Sequence, residues 1–336
     1  MAGGRRRARG EFTPGSARLM DQVRETLRYY HYALRTEQSY VSWILRFIRF
    51  NEMRHPKTMG KVEIERFLSH LAVNRNVAAS TQNQALNAII FLYEDVLHTP
   101  VKGLSPVRTK KNKRVPTVMS IDEVIAVMNA MHGTHKLMTR LMYVGGLRLM
   151  EVIRARVQDF DFDNEKFLVR DSKGGKGRTT FLPRQIHPAI QSHLVRVKAL
   201  HENDLAQGLG SVYLPFALAR KYPNAKRAWG WQYAFPSRRL SKDPRSGEIR
   251  RHHAHHTSLQ KAIVRARKEI NLTKQISCHT FRHSFATHML EDGVNIRKLQ
   301  VLLGHNDVKT TEIYTHVMNK DIHALKTPLL ALSDVT

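Results

Sequence analysis

The chain has 336 residues, 42% of them hydrophobic, which is long enough for two domains that each bury a core without cross-links. Lysine plus arginine number 55 against 28 acidic residues, a formal net charge of +27 that points to an extended polyanion as partner without separating DNA from RNA or anionic lipid. A single cysteine, Cys278, excludes an intrachain disulfide and a cysteine-based zinc site, and the longest apolar run, Ala85 to Tyr93, is broken by Asn87 and too short to span a bilayer.

Residues 1–15 open with MAGGRRRARG, which has basic residues but no apolar segment behind them, and read as a disordered basic arm rather than a secretory signal. Residues 16–98 carry four amphipathic segments with helical spacing. The first runs from about Arg18 to Tyr32. The second has one face of Tyr40, Trp43, Ile44, Phe47 and Ile48, the third Ile64, Phe67, Leu68 and Leu71, and the fourth Leu86, Ile89, Ile90 and Tyr93. Together they predict a small helical bundle, with Thr81 and Gln84 as a capping box opening the fourth helix. Residues 99–118 hold three prolines, six basic residues and no acidic one, the composition of an extended interdomain linker suited to lie along a phosphate backbone.

The second domain, 119–336, starts with a capping box at Ser120 and Glu123. From Val157 the period changes, and VQDFDF, KFLVRD and RTTFLP predict a three-stranded antiparallel sheet. Alternation puts Asp159, Asp161 and Asp163 on one strand face, which favours a solvated face over a metal site. A helix from His187 to Leu200 precedes an irregular stretch at 207–250 with four prolines, four glycines, nine basic residues and both Trp229 and Trp231, read as an insertion. Helical patterning resumes over Thr257 to Asn271, Thr280 to Glu291, Ile296 to Leu303 and Val308 to His316. The fold class expected is mainly α with a small antiparallel β-sheet (α+β).

Four segments carry groups suited to a phosphodiester: GGLRLMEV with Arg148 and Glu151, RDSKGGKGRTT with Lys173, HTFRHSFATHML with His279 and Arg282, and LGHNDVKTTEIYTHV with His305 and Tyr314. A guanidinium donates two parallel hydrogen bonds to phosphate and stays charged, so two arginines would clamp one phosphate and stabilise a pentacoordinate transition state. A tyrosine hydroxyl, with a reference pKa of about 10, needs a cationic field or a proton acceptor to act as a nucleophile.

The order Arg, Lys, His-x-x-Arg, His, Tyr, with Tyr314 nine residues after His305, resembles the tyrosine recombinase (phage integrase) family. RKYPNAKRAWGWQYAFPS followed by DPRSGEIRRHH resembles the extra segment of integron integrases, and the likeness spans about residue 16 to the C-terminus. It implies an N-terminal helical core-binding (SAM-like) domain and a catalytic domain that cleaves and rejoins DNA through a 3′-phosphotyrosine, with no metal and no cofactor. Tyr314 would attack the phosphate held by Arg148 and Arg282. Lys173 would protonate the leaving 5′-oxygen, with Lys176 as the alternative. His279 and His305 would assist, and Glu151 would support the site indirectly. DNA contacts would come from Lys110, Lys111, Lys113 and Arg114 in the linker and from Arg220, Lys221, Trp229, Trp231, Arg238, Arg239, Arg250, Arg251, His252 and His253. The tryptophans would either stack on unpaired bases or anchor the insertion, and the histidine cluster suits nucleic acid better than a metal.

The likeness further implies a cytoplasmic enzyme on the bacterial nucleoid, away from membranes. Its substrates would be a duplex site and a folded single-stranded hairpin, recombined to move gene cassettes. It would act as a homotetramer that exchanges the apolar tail 317–336 between subunits. A recombinase restricted to duplex sites, or an inactive DNA-binding protein, are the alternatives.

Overall fold

The computed structural model describes residues 12–109, 116–170, 177–214 and 216–315. They are mostly helical with two small antiparallel sheets, and they fall into two compact units, one within residues 1–113 and one within 114–336. Among the described residues no helix is long and apolar enough to cross a membrane.

The first unit contains α1 (Leu19–Tyr29), α2 (Leu34–Phe50), α3 (Lys61–Val73) and α4 (Ala79–Phe91), the last continued by a π-helical turn, Leu92–Val96. Its core joins Val23 and Leu27 of α1 to Ile44 and Phe47 of α2, Ile64 and Leu68 of α3, and Ile89 of α4. The expected stripe of α2 is buried apart from half-exposed Tyr40. On α4 the buried face is rotated from the expected one: Ala85, Ala88 and Ile89 are inside, while Leu86 and Ile90 are half-exposed. The helix also starts at Ala79, with no side-chain cap from Thr81. Gln82, one turn in, is buried instead; its amide donates to the Leu68 and Val107 carbonyls (3.0 and 2.7 Å) and accepts from Thr109 N (3.2 Å). Ser105 N donates to Glu65, and Val107 N to Ser69, so residues 104–109 of the expected linker are stitched to α3 and α4. Lys110, Lys111, Lys113 and Arg114 lie outside the described residues.

In the second unit the Ser120–Glu123 capping box forms as expected, both hydrogen bonds present, and opens α5 (Ile121–Asn129). Then follow α6 (Gly133–Val144), α7 (Leu149–Ile153), a sheet of β1 (Phe160–Asp161), β2 (Lys166–Val169) and β3 (Arg178–Phe181), and α8 (His187–Ala206). Asp159 corrects the solvated-face expectation: it is 2% exposed, accepts from Arg156 N and is ion-paired with Arg170, while Asp161 is exposed.

The insertion contains α9 (Phe216–Lys221) and the hairpin of β4 (Ser241–Lys242) and β5 (Ile249–Arg250), and it is anchored from within. Arg156 donates to the carbonyls of Tyr213 and Trp231 (both 2.8 Å), and its guanidinium lies 3.8 Å from the centre of the Tyr233 ring. Ala234 and Phe235 belong to the main core. The chain continues with α10 (His256–Glu269), α11 (Cys278–Glu291), α12 (Ile296–Leu303), whose bounds match the expected ones, and a short α13 (Lys309–Glu312). Phe281 of α11 packs in the main core, whereas Phe285 and Leu290 join Leu299, Leu303 and Tyr314 in a separate small cluster. Helix α11 therefore presents one apolar surface to the domain core and another to the C-terminal segment.

Candidate active site

Each expected site residue has a local reason for its position. Arg148 is the N-cap of α7, and Glu151 at the third helical position closes the cap: its carboxylate accepts from Arg148 N (2.8 Å) and from Arg148 Nη1 (2.7 Å). Both Glu151 oxygens also accept from Arg178 of β3, whose Nη1 and Nη2 donate to Oε1 and Oε2 at 2.8 and 2.7 Å and whose Nε donates to the Leu302 carbonyl. Burial disfavours the ionised carboxyl, yet the bonds and charges of Arg178 and Arg148 outweigh it and hold the Glu151 pKa at about 2.

Arg282 projects from α11 and is 3% exposed. Its Nη1 donates to the Gly146 carbonyl and Nη2 to the Leu303 carbonyl, both at 2.6 Å. Burial and the Arg148 charge lower its pKa to about 10, which leaves it a cation at neutral pH. Arg282 Nη2 also lies 2.9 Å from His305 Nε2. A guanidinium only donates, so Nε2 is the acceptor and the ring proton sits on Nδ1, directed at Thr311 Oγ1 2.9 Å away. Burial and then Arg282 push the His305 pKa to about 4, consistent with that neutral tautomer.

Tyr314 is 1% exposed, and its ring stacks on that of His305 with centroids 6.3 Å apart. Burial raises the phenol pKa, against the opposing pull of Arg282 and Arg148, so the resting group is the phenol. Its hydroxyl lies 3.1 Å from His283 Nδ1. His279, one turn back on α11, is at the solvent-facing rim with its ring 6.3 Å from that of His283.

The structure thus brings Arg148, Glu151, Arg282, His305 and Tyr314 together, with His279 at the edge. Lys173, its alternative Lys176 and the tail 317–336 lie outside the described residues. Of the other expected contacts, Arg220, Lys221, Arg238 and Arg239 are exposed. Arg250 is paired with Asp243 and Glu248, and Arg251 with buried Asp204, so both guanidinium groups are engaged within the chain. His252 and His253 pack on Tyr233. Trp229 packs on the main core and stacks on His201, and Trp231 packs on the cluster of Val212, Leu214 and Tyr233 with Arg170 over its ring; both tryptophans are half-buried.

Sequence reading missed Arg178, His283 and Thr311. His283 had a signal, since it follows His279 at i+4 and so shares its helix face. Arg178 and Thr311 had none, because pairing across the sheet and the turn after α12 bring them in.

Gly146 makes the Arg282 anchorage possible. It has φ +57°, and a Cβ there would sit 2.5 Å from the Phe285 ring. Gly146→Ala is expected to lose roughly 2–5 kcal/mol of stability, the sum of a strained backbone and an overlap in a packed cluster. Gly293 has φ +84° and open space at its Cβ, so Gly293→Ala should cost only the backbone part, about 1–2 kcal/mol. Thermal unfolding of the two variants checks the difference, and equal losses would contradict the packing argument.

Two guanidinium groups, a neutral imidazole and a phenol gathered in one largely buried cluster form a site suited to phosphoryl transfer to an oxygen nucleophile. Residues 117–321 match the phage integrase family, and residues 19–103 match its N-terminal SAM-like domain. An integrase/recombinase of Escherichia coli is 44% identical over 322 residues, 96% of each chain. Tyrosine recombinase XerD of Halalkalibacterium halodurans is 27% identical over 309 residues, covering 86% of this chain and 90% of the relative. The fold is that of a lambda integrase dimer bound to a COC′ core site, with a TM-score of 0.58 at 16% identity over 88% of this chain and 93% of that one. XerH recombinase bound to its difH substrate superposes with a TM-score of 0.56 at 17% identity, over 96% and 86% of the two chains. The chain belongs to the phage integrase family of tyrosine recombinases, and its class of activity is site-specific DNA recombination.

Proposed function

We propose that the chain is an integron-type integrase that binds DNA and exchanges strands by transesterification. The observation that carries the chemistry is the convergence of Arg148, Arg282, His305 and Tyr314 in one cluster. Arg148 and Arg282 hold the scissile phosphate. Tyr314 Oη attacks phosphorus, the bond to the 5′-oxygen breaks, and Lys173, or Lys176 beside it, supplies the leaving oxygen's proton. His305 donates no proton to the phosphate while Arg282 occupies its Nε2; its part is to orient Arg282 and flank the tyrosine ring. Glu151 fixes Arg148 through the capping bonds, and His279 lines the phosphate's approach. The ester bond is conserved in the phosphotyrosine, so rejoining requires no nucleotide cofactor. Catalytic units would assemble as four copies on two sites, joined through residues 317–336.

The specific substrates proposed are a duplex site and a folded single-stranded hairpin, and the support is the sequence of the insertion. A second reading, a recombinase of duplex sites alone, is favoured by the inward packing of Trp229 and Trp231. Deleting 207–250 would remove core residues Ala234 and Phe235, so point substitution is the cleaner test. Replacing exposed Arg220, Lys221, Arg238 and Arg239 together with alanine is expected to weaken binding to a hairpin by about tenfold or more, while a duplex loses less. Titrations of full-length protein with a duplex and a hairpin, each selected from a randomised pool, measure this. Equal losses on both would favour the duplex reading. Affinity for either should fall steeply with salt, as counterion release requires.

A further inference from the structure

We propose that His283 is the proton acceptor for Tyr314, its Nδ1 taking the phenolic proton as Tyr314 Oη bonds to phosphorus. This rests on Tyr314 being the nucleophile, as proposed above. The assignment comes first from geometry. Oη and Nδ1 are 3.1 Å apart, within the reach a general base needs. The other candidate imidazole over the ring is already committed, since His305 Nε2 accepts from Arg282 and its Nδ1 proton is directed at Thr311. His279 is exposed to solvent, with its ring 6.3 Å from that of His283, whereas the His283 ring itself lies 5.5 Å from that of Tyr314.

The position is also rigid. His283 adjoins Arg282 on α11, and that helix is tied down on both sides of it. Ser284 Oγ accepts from Met119 N (2.9 Å) and donates to the Thr280 carbonyl, and Phe281 and Phe285 are buried in two separate clusters. The base and the phosphate-binding arginine are therefore held by one helix, and the hydroxyl of buried Tyr314 is in contact with the base.

Charge makes the acceptor ready at neutral pH. Burial, then neighbouring His279 and Arg282, lower the His283 pKa to about 4, so the imidazole is uncharged and Nδ1 has a free lone pair when the proton resides on Nε2. A bound phosphate brings negative charge against Arg282 and Arg148. That offsets the repulsion which makes imidazolium unfavourable, so His283 becomes a stronger base when the substrate is in place. In the forward step the Oη–P bond forms, the P–O5′ bond breaks and the phenolic proton moves to Nδ1. In rejoining, the same proton returns to the tyrosine oxygen.

The test uses full-length protein and a duplex selected from a randomised pool, synthesised with a 5′-bridging sulfur at the cleaved phosphate. A thiolate leaves without a proton, so adduct formation then reports the nucleophile side alone. His283→Ala is expected to slow covalent capture roughly 100- to 10,000-fold, the usual worth of a general base. His283→Asn, which retains a hydrogen-bonding group near the Nδ1 position but is no base, should be nearly as slow. Added imidazole should speed the alanine variant and leave Tyr314→Phe inert. Capture by His283→Ala at the wild-type rate would overturn the proposal. Recovery by His283→Asn would overturn it too, by showing that the contact only tethers the phenol. Capture that persists in Tyr314→Phe would instead remove the reading on which the proposal stands.

Discussion

Tyr314→Phe is expected to abolish the covalent protein–DNA complex on a denaturing gel and to leave equilibrium binding to the same DNA within about twofold. The substitution removes one oxygen from a ring that is already packed with Phe285, Leu299 and Leu303, so the fold keeps its apolar contacts. What it loses is one hydrogen bond to His283, worth about 1 kcal/mol, and the atom that would bond to phosphorus. Among the described residues, the nearby Thr311 hydroxyl is bonded to His305 Nδ1 and the residue is buried. The loss should therefore be of the whole reaction rather than of a factor in its rate. An adduct of undiminished yield in the phenylalanine variant would refute the assignment.

The second large effect is at Glu151. Its carboxylate lies between Arg148 and Arg178 and is 3.9 Å from Arg282. Glu151→Gln keeps the shape, removes the negative charge and leaves three guanidinium groups facing one another, two of them buried. Breaking one partner of a buried ion pair typically costs roughly 3–5 kcal/mol. In a unit of this size that is a fall of about 10 °C in unfolding temperature. The pH dependence follows from the depressed pKa. The folded carboxyl titrates at about 2 and the unfolded one near its ordinary value of about 4.5, so the stabilisation is complete above pH 4.5 and disappears as pH falls toward 2. The gap between wild type and Glu151→Gln should accordingly be largest at neutral pH and narrow in acid. Chemical denaturation at several pH values measures it, and a gap that widens in acid would contradict the ion-pair account. Activity should fall further than stability alone accounts for, because Arg148 loses its ion pair and one of its two bonds to this side chain, keeping only a neutral acceptor and the long contact to the Gly304 carbonyl.

Features determined by neighbouring residues were legible in the sequence. The apolar stripe of α2, the Ser120–Glu123 cap and the limits of α12, set by Asn295 before it and the left-handed Gly304 after it, are all local devices. Features determined by distant partners were not. Gln84 looked like a capping residue, but α4 begins earlier because Gln82 is drawn inward to bind the Leu68 and Val107 carbonyls. Asp159 looked solvated because strand alternation is blind to Arg170, eleven residues away, which makes its burial tolerable. Nothing local foretold that Arg250 would pair with Asp243 and Glu248, or Arg251 with Asp204, forty-seven residues away. In the site, the spacing of Arg148, His279, Arg282, His305 and Tyr314 was readable as a motif. The support beneath it was not, since Arg178 reaches Glu151 only through the pairing of β3 with β2.

The most direct measurement is the mass of the peptide that carries nucleotide after full-length protein is trapped on the sulfur-bridged duplex and digested with trypsin. A nucleotide adduct on residues 310–320, localised by fragmentation to Tyr314, is the result expected. Attachment to any other side chain, or an intact DNA strand with no attachment, would contradict the central claim that this phenol becomes the link between protein and DNA.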